Sequence, residues 1–151
     1  METNRIEKQI LIAAPISRVW RALTDHQQFG EWFRVKLEGP FVAGQPSTGY
    51  ITWPGYEHLK WSVIVQKIEP EHFFSFTWHP FAIDPNRDYS AETPTLVEFT
   101  LKPSNNATIL TVIESGFEHI PAERRAEAFL RNNNGWAQQM ENIHTYVLTT
   151  P

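Results

Sequence analysis

"PAERRAEAFLRNNNGWAQQMENIHTYVL", Pro121–Leu148, carries a helical period longer than any other in the chain. It opens on proline, whose missing N–H costs little at a helix start, and Glu123 follows in the acidic first turn. Ala126, Phe129, Asn133, Trp136, Met140, Ile143 and Val147 fall on one stripe. "NNNG" is poor helix material, Gly135 alone costing about 1 kcal/mol against Ala. A kink or a break between Asn132 and Gly135 is therefore expected.

What this helix would cover is written upstream. From Val35 to Phe117 the chain reads as short strands joined by turns, the pattern of antiparallel meander pairing. "VKLEGP" is a short strand closed by Gly39 and Pro40. "TGYITW" runs into "PG", which suits a type II turn centred on Pro54 and Gly55. "LKWSVIVQKI" has Trp61, Val63 and Val65 on one face but Ile64 and Ile68 on the other. Either both faces are covered or a bulge shifts the register. "HFFSFTWHP" aligns Phe74, Phe76 and Trp78, and "TLVEFTLKP" aligns Val97, Phe99 and Leu101. "NNATILTVIESGF" places Leu110 and Val112 on one face, with Glu114 next in phase. "NAT" at Asn106 reads as a hairpin turn. Pro80–Pro94 has no period. Connections of that length inside a domain are usually functional or mobile, and its three prolines predict an ordered flap.

The first third is different. "RIEKQILIA" alternates as a strand, with Ile6, Ile10 and Ile12 on one side. Pro15 then opens a helix with Ile16, Val19, Trp20 and Leu23 at i, i+3, i+4, i+7. A second, short helix follows, with Phe29, Trp32 and Phe33 on its apolar side and Gly30 weakening it. Between the two, Thr24 with Gln27, or Asp25 with Gln28, has capping-box spacing.

The 151 residues predict one domain, residues 1–151. Its order of strand, two helices, antiparallel strands and long helix makes an α+β fold of about six or seven strands. A half-buried antiparallel sheet needs a cover, and only the terminal helix is long enough to supply it. A strongly curved sheet wrapped around that helix leaves space between them for a ligand. Ten Phe, six Trp and four Tyr, 13% of the chain, are available to line it.

A net charge of −4 with no basic block argues against nucleic acid. The absence of cysteine excludes disulfides, thiolate catalysis and Cys-based metal sites. No apolar run could span a bilayer, and the polar start has no signal-peptide core, so a cytoplasmic protein is expected.

"AAPISRVWRALTD", the "EWF" after it, "IEPEHFFSFTW", "ESGF" and "NNGWAQQMENI" together resemble the bacterial homologues of the activator of heat-shock protein 90 ATPase. That family belongs to the helix-grip superfamily, START-like and similar to the birch pollen allergen. The resemblance spans roughly Ile6 to Val147, and the order and spacing of the motifs carry it. It implies a helix-grip fold with a hydrophobic cavity; superfamily members bind lipids, sterols or polyketides, and a few catalyse cyclisation or hydrolysis. Trp20, Trp32 and Trp136 are fold residues in the family.

Candidate sites follow from phase. Asp25 and His26 are adjacent at a helix start, so their side chains diverge, and capping accounts for both. No two of the six histidines have the three- or four-residue spacing of a helical metal site, so no metal is expected. Glu is rarely fully buried, which places Glu114 at a strand end, exposed or bonded to backbone. If it points inward it needs a partner or a ligand. His79, beside Pro80, reads as a satisfied strand-end histidine. Trp32, Trp53, Trp61, Trp78, Trp136 and Met140 are candidates for an apolar wall, with core packing as the alternative. With Glu114 and His79 they make the expected ligand-binding set.

The expected function is binding of a hydrophobic, amphipathic or aromatic small molecule between sheet and helix, with no cofactor. The alternatives are a co-chaperone-like interaction module in contact with a chaperone, and a cyclase or hydrolase using Glu114 or His79.

Overall fold

The computed structural model describes residues 4–151. The strands pair antiparallel throughout. They are β1 (Arg5–Ile12), β2 (Val35–Leu37), β3 (Pro46–Ile51), β4 (Lys60–Glu69), β5 (Phe73–Trp78), β6 (Thr95–Ser104) and β7 (Ala107–Ser115). They form a 7-stranded sheet in the order β1-β7-β6-β5-β4-β3-β2. Helices α1 (Ile16–Thr24) and α2 (His26–Phe33) follow β1, and α3 (Ala122–Thr149) closes the chain. This is the α+β helix-grip architecture expected above. Among the described residues, no helix is long and apolar enough to cross a membrane.

The inner face follows the strand alternation. Ile6 and Ile12, Leu110 and Val112, Val97, Phe99 and Leu101, and Phe74 and Phe76 are all buried. β4 resolves its two-faced pattern with a bulge between Val65 and Lys67. The extra residue, Gln66, is exposed, and beyond it Ile68 pairs with Phe74 on the inner side. Ile64, before the bulge, stays on the outer face and is exposed. Trp53 and Tyr56 close the Pro54–Gly55 turn with a 2.9 Å backbone bond, and Gly55 supplies the required positive φ of 92°.

Asp25 is the cap of α2: its Oδ1 accepts from Gln27 N and Gln28 N at 2.9 and 3.1 Å. Thr24 instead turns its hydroxyl back to the Trp20 carbonyl at 2.8 Å. Gly30 is required by close packing. A Cβ there would clash with the Val35 carbonyl oxygen, so α2 and β2 approach backbone to backbone.

α3 runs unbroken for 28 residues, against the expected break at Asn132–Gly135. Tertiary contacts outweigh the propensity loss there, because Trp136 and Asn132 are both tied to the sheet. The stripe differs too. Its buried residues are Arg124, Ala128, Trp136, Met140, Ile143 and Val147, and Ala126 faces solvent. The first half of the helix buries an arginine, which a reading by hydropathy assigns to the outside.

Gly30→Ala is expected to lower stability by about 1–3 kcal/mol through that backbone clash. A Cβ at Gly135 meets nothing within 4 Å, so Gly135→Ala should raise stability by up to about 1 kcal/mol. Urea denaturation of the two variants beside the parent checks both signs.

Candidate functional site

β5, β6 and β7 place three residues at one end of the inner face. Trp78 and Thr95 are direct register partners, and Glu114 lies one row further in, opposite Val97. The middle of α3 lies over them, with the Trp136 ring 5.6 Å from Phe99 between centroids.

Glu114 is 0% exposed, which overturns its expected position at an exposed strand end. The burial is compensated by hydrogen bonds. Its Oε2 accepts from Thr95 Oγ1 at 2.6 Å and Trp78 Nε1 at 2.7 Å. Its Oε1 accepts from Asn132 Nδ2 and Trp136 Nε1, each at 2.8 Å. One oxygen is thus held by the sheet and the other by two residues four apart on α3. Four donors fill about the four lone-pair sites that a carboxylate offers. All four are neutral, and among the described residues no ion pair reaches Glu114.

A pocket of about 160 Å³ opens beside this carboxylate, lined by Phe33, Trp78, Asn132, Gly135, Trp136 and Gln139. Trp78 and Trp136 turn their N–H edges to Glu114 and leave the rest of their indoles to the wall. Their centroids are 5.8 Å apart, and Phe33 lies 6.4 and 6.2 Å from them. Gln139 is steadied by donating to the Phe33 carbonyl at 3.2 Å and accepting from Asn142 at 3.0 Å.

Of the expected ligand-binding residues, Trp78 and Trp136 line this pocket and Glu114 stands behind them. Trp61 packs on Phe33 and Trp78 at 5.6 and 6.1 Å, one layer deeper. Trp32 is core: its Nε1 donates to the Ala22 carbonyl at 2.8 Å and locks α2 onto α1. Met140 is buried on the α3 stripe. Trp53 corrects the expectation of an inner wall, being 52% exposed in the β3–β4 turn with Arg34 5.3 Å over its ring. Phe33, Asn132, Gly135 and Gln139 were not in the expected set. Phe33 was visible as part of the α2 stripe; the other three carry no apolar signal.

The flap over the same end is tied to α3 by two arginines: Arg87, in the flap, bonds Glu92 and, on α3, Glu123 at 3.0 and 3.2 Å. Arg124, on α3, donates Nη1 to the Pro80 and Phe81 carbonyls at 2.8 and 3.2 Å, and Nε to both Glu92 oxygens at 3.1 Å. It also lies 4.8 Å from the Tyr89 ring centroid. Phe81 has a left-handed φ of 53°, a conformation that costs a non-glycine residue energy unless its surroundings fix it. His79, at the root of the flap, is not a satisfied histidine: its buried Nδ1 has no partner, and burial lowers its pKa. The hydrogen bond from Arg124, against the opposing effect of burial, holds the Glu92 carboxyl below its ordinary value of 4.5.

Residues 13–147 match the family described as Activator of Hsp90 ATPase homolog 1-like protein. The chain belongs to that family. Its fold recurs in solved structures of other members of the architecture. Protein MLL2253 from Mesorhizobium loti superposes with a TM-score of 0.76 at 24% identity, covering 97% of this chain and 98% of that one. A protein from Arthrobacter aurescens gives 0.79 at 18% identity, over 98% and 89% of the two chains. NE0264 from Nitrosomonas europaea gives 0.76 at 15%, over 99% and 97%. Such identities carry the fold alone. No curated protein matches the sequence.

Glu114→Leu should cost about 3 kcal/mol or more, since it leaves several buried donors unpaired at roughly 1–3 kcal/mol each. Near-ultraviolet circular dichroism of the indoles should change with it, and an unaltered spectrum at full stability would refute the network. For the flap, a depressed carboxyl pKa stabilises above the ordinary value and the gain is lost as pH falls through the folded value. Protection of the flap amides against hydrogen exchange should therefore persist down to about pH 4.5 and fall below it. Glu92→Gln should lower that protection by roughly tenfold or more and weaken its acid dependence, the remainder coming from Asp88 and Glu123.

Proposed function

We propose that the protein holds a small apolar or amphipathic molecule, or one ring-sized part of a larger one, in the pocket between α2, β5 and α3. The observation that carries this is the pocket's lining of three aromatic rings with two amides, Asn132 and Gln139. Ligand sites are typically apolar walls with a few placed polar groups. The family's fold commonly serves hydrophobic ligands, which supports the same reading.

Size narrows the ligand class. A buried apolar cavity of about 150 Å³ is known to accept benzene. Drug-sized ligands need about 300 Å³ or more, against about 160 Å³ here. Much of the interior that a sterol or long lipid would need is filled by packed rings: Phe41 on Phe74, Phe74 and Phe76 on Phe99, and Trp61 on Phe76.

The alternative of acid–base chemistry at Glu114 is weaker on this geometry. A general base must offer a lone pair to the proton it takes, and four donors already occupy those of Glu114. A binding role uses the carboxylate as it stands.

Single-ring probes such as toluene and phenol, titrated against tryptophan fluorescence, test the proposal. Saturable quenching is expected for the parent protein. Gly135→Leu, which adds a side chain at the pocket wall where nothing blocks it, should abolish the response without loss of stability. Quenching that is non-saturable, or equal in the variant, would overturn the proposal.

A further inference from the structure

The pocket's electrostatics point past apolar matter in general. Glu114 brings a carboxylate into the protein interior with four neutral donors and, among the described residues, no ion-pair partner. The arginines of α3 are engaged elsewhere, Arg124 with Glu92, Arg125 with the Ile120 carbonyl at 3.0 Å and Arg131 with Glu127 at 3.5 Å. In low dielectric an unneutralised charge acts over longer distances than in water. Its influence reaches the pocket through the two indoles that separate them. An N–H donated to an anion pushes electron density into its ring, and hydrogen-bonded groups polarise one another in this way. The rings of Trp78 and Trp136 are therefore more negative than ordinary indoles, and Trp is already the best partner for a cation. Asn132 strengthens the case: its amide N–H₂ is committed to Glu114, which leaves its carbonyl oxygen as the acceptor at the wall. A wall of three aromatic rings backed by a buried carboxylate is the chemistry that recognises alkylated ammonium groups.

We propose that the pocket between Phe33, Trp78 and Trp136 is a site for a small organic cation of the alkylammonium class, with Glu114 supplying the charge through the indoles. This rests on the pocket being a ligand site at all, and it names the ligand chemistry. A trimethylammonium head is no larger than the single ring that the volume accommodates. Glu114 does not touch the ligand; it is a positioning and polarising residue.

The test compares choline with 3,3-dimethylbutan-1-ol, its neutral isostere, on the full chain at fixed ionic strength. Tryptophan fluorescence and the indole N–H resonances of Trp78 and Trp136 are followed. Choline is expected to bind at least tenfold more tightly than the alcohol and to shift both resonances, and both ligands should be lost in Gly135→Leu. Equal or tighter binding of the alcohol, still lost in Gly135→Leu, would overturn the cation assignment and leave the pocket standing. Failure of both, with toluene or phenol still binding, would do the same. Failure of every probe would overturn the pocket as well. Glu114→Gln should lower choline affinity about tenfold toward that of the alcohol. If that variant does not fold, the comparison of the two isosteres on the parent protein decides.

Discussion

A carboxylate held by neutral donors, with no ion-pair partner among the described residues and sealed between a sheet and a helix, is the constraint on which this structure depends. Burying it costs several kcal/mol unless its lone pairs are filled. Here they are filled by groups from two strands at one end of the sheet and from the centre of α3. The division of labour matters. Trp78 and Thr95 reach one oxygen from adjacent strands, while Asn132 and Trp136, four apart on one helix face, reach the other. Sliding α3 by a single residue would move both helix donors off the same oxygen. The network therefore fixes the register of the helix on the sheet, which apolar packing alone specifies loosely. It also explains why the helix runs through "NNNG": the weakest segment by propensity is the one most firmly tied down.

The same geometry makes the pocket. Two indoles that must aim their N–H edges at Glu114 cannot also fill the space on their far side. Gly135 adds no side chain there, and α2 ends with Phe33 across the gap. Deeper in the grip the rings of Phe74, Phe76, Phe99 and Trp61 pack on one another without such a demand. The pocket is thus a consequence of where the polar network sits.

The strands, the helices, their order and the covering role of α3 were legible in sequence, because each is written in a local period. The bulge in β4 was legible as a conflict between Ile64 and Ile68, though not its position at Gln66. The site was not legible in the same way. Glu114's partners lie 36, 19, 18 and 22 residues away, so no window of sequence contains them. Phase did place Glu114 inward, and the general rarity of buried glutamate argued against it. Phase is a geometric fact about one strand, whereas rarity is an average over proteins that lack these donors. Arg124 and Asn132 were missed for a related reason: a charge and an amide at inward positions lower the apolar signal of the very stripe they belong to.

The flap follows the same rule at a second place. Arg124 is buried because Glu92, two carbonyls and the Tyr89 ring satisfy its guanidinium, and the left-handed Phe81 is held by one of those bonds. Both polar anchors of α3, Arg124 and the Asn132–Trp136 pair, lie in its N-terminal half or at its centre. The C-terminal half, with Met140, Ile143 and Val147, is apolar on its buried side. The C-terminal half is thus packed mainly by the hydrophobic effect, with Gln139 and Tyr146 bonded to α2, and the other half is tied to the sheet and flap by buried hydrogen bonds. Apolar contacts tolerate small shifts and hydrogen bonds do not. A ligand that needs a wall set to within a fraction of an ångström would be served at the polar end, which is where the pocket lies.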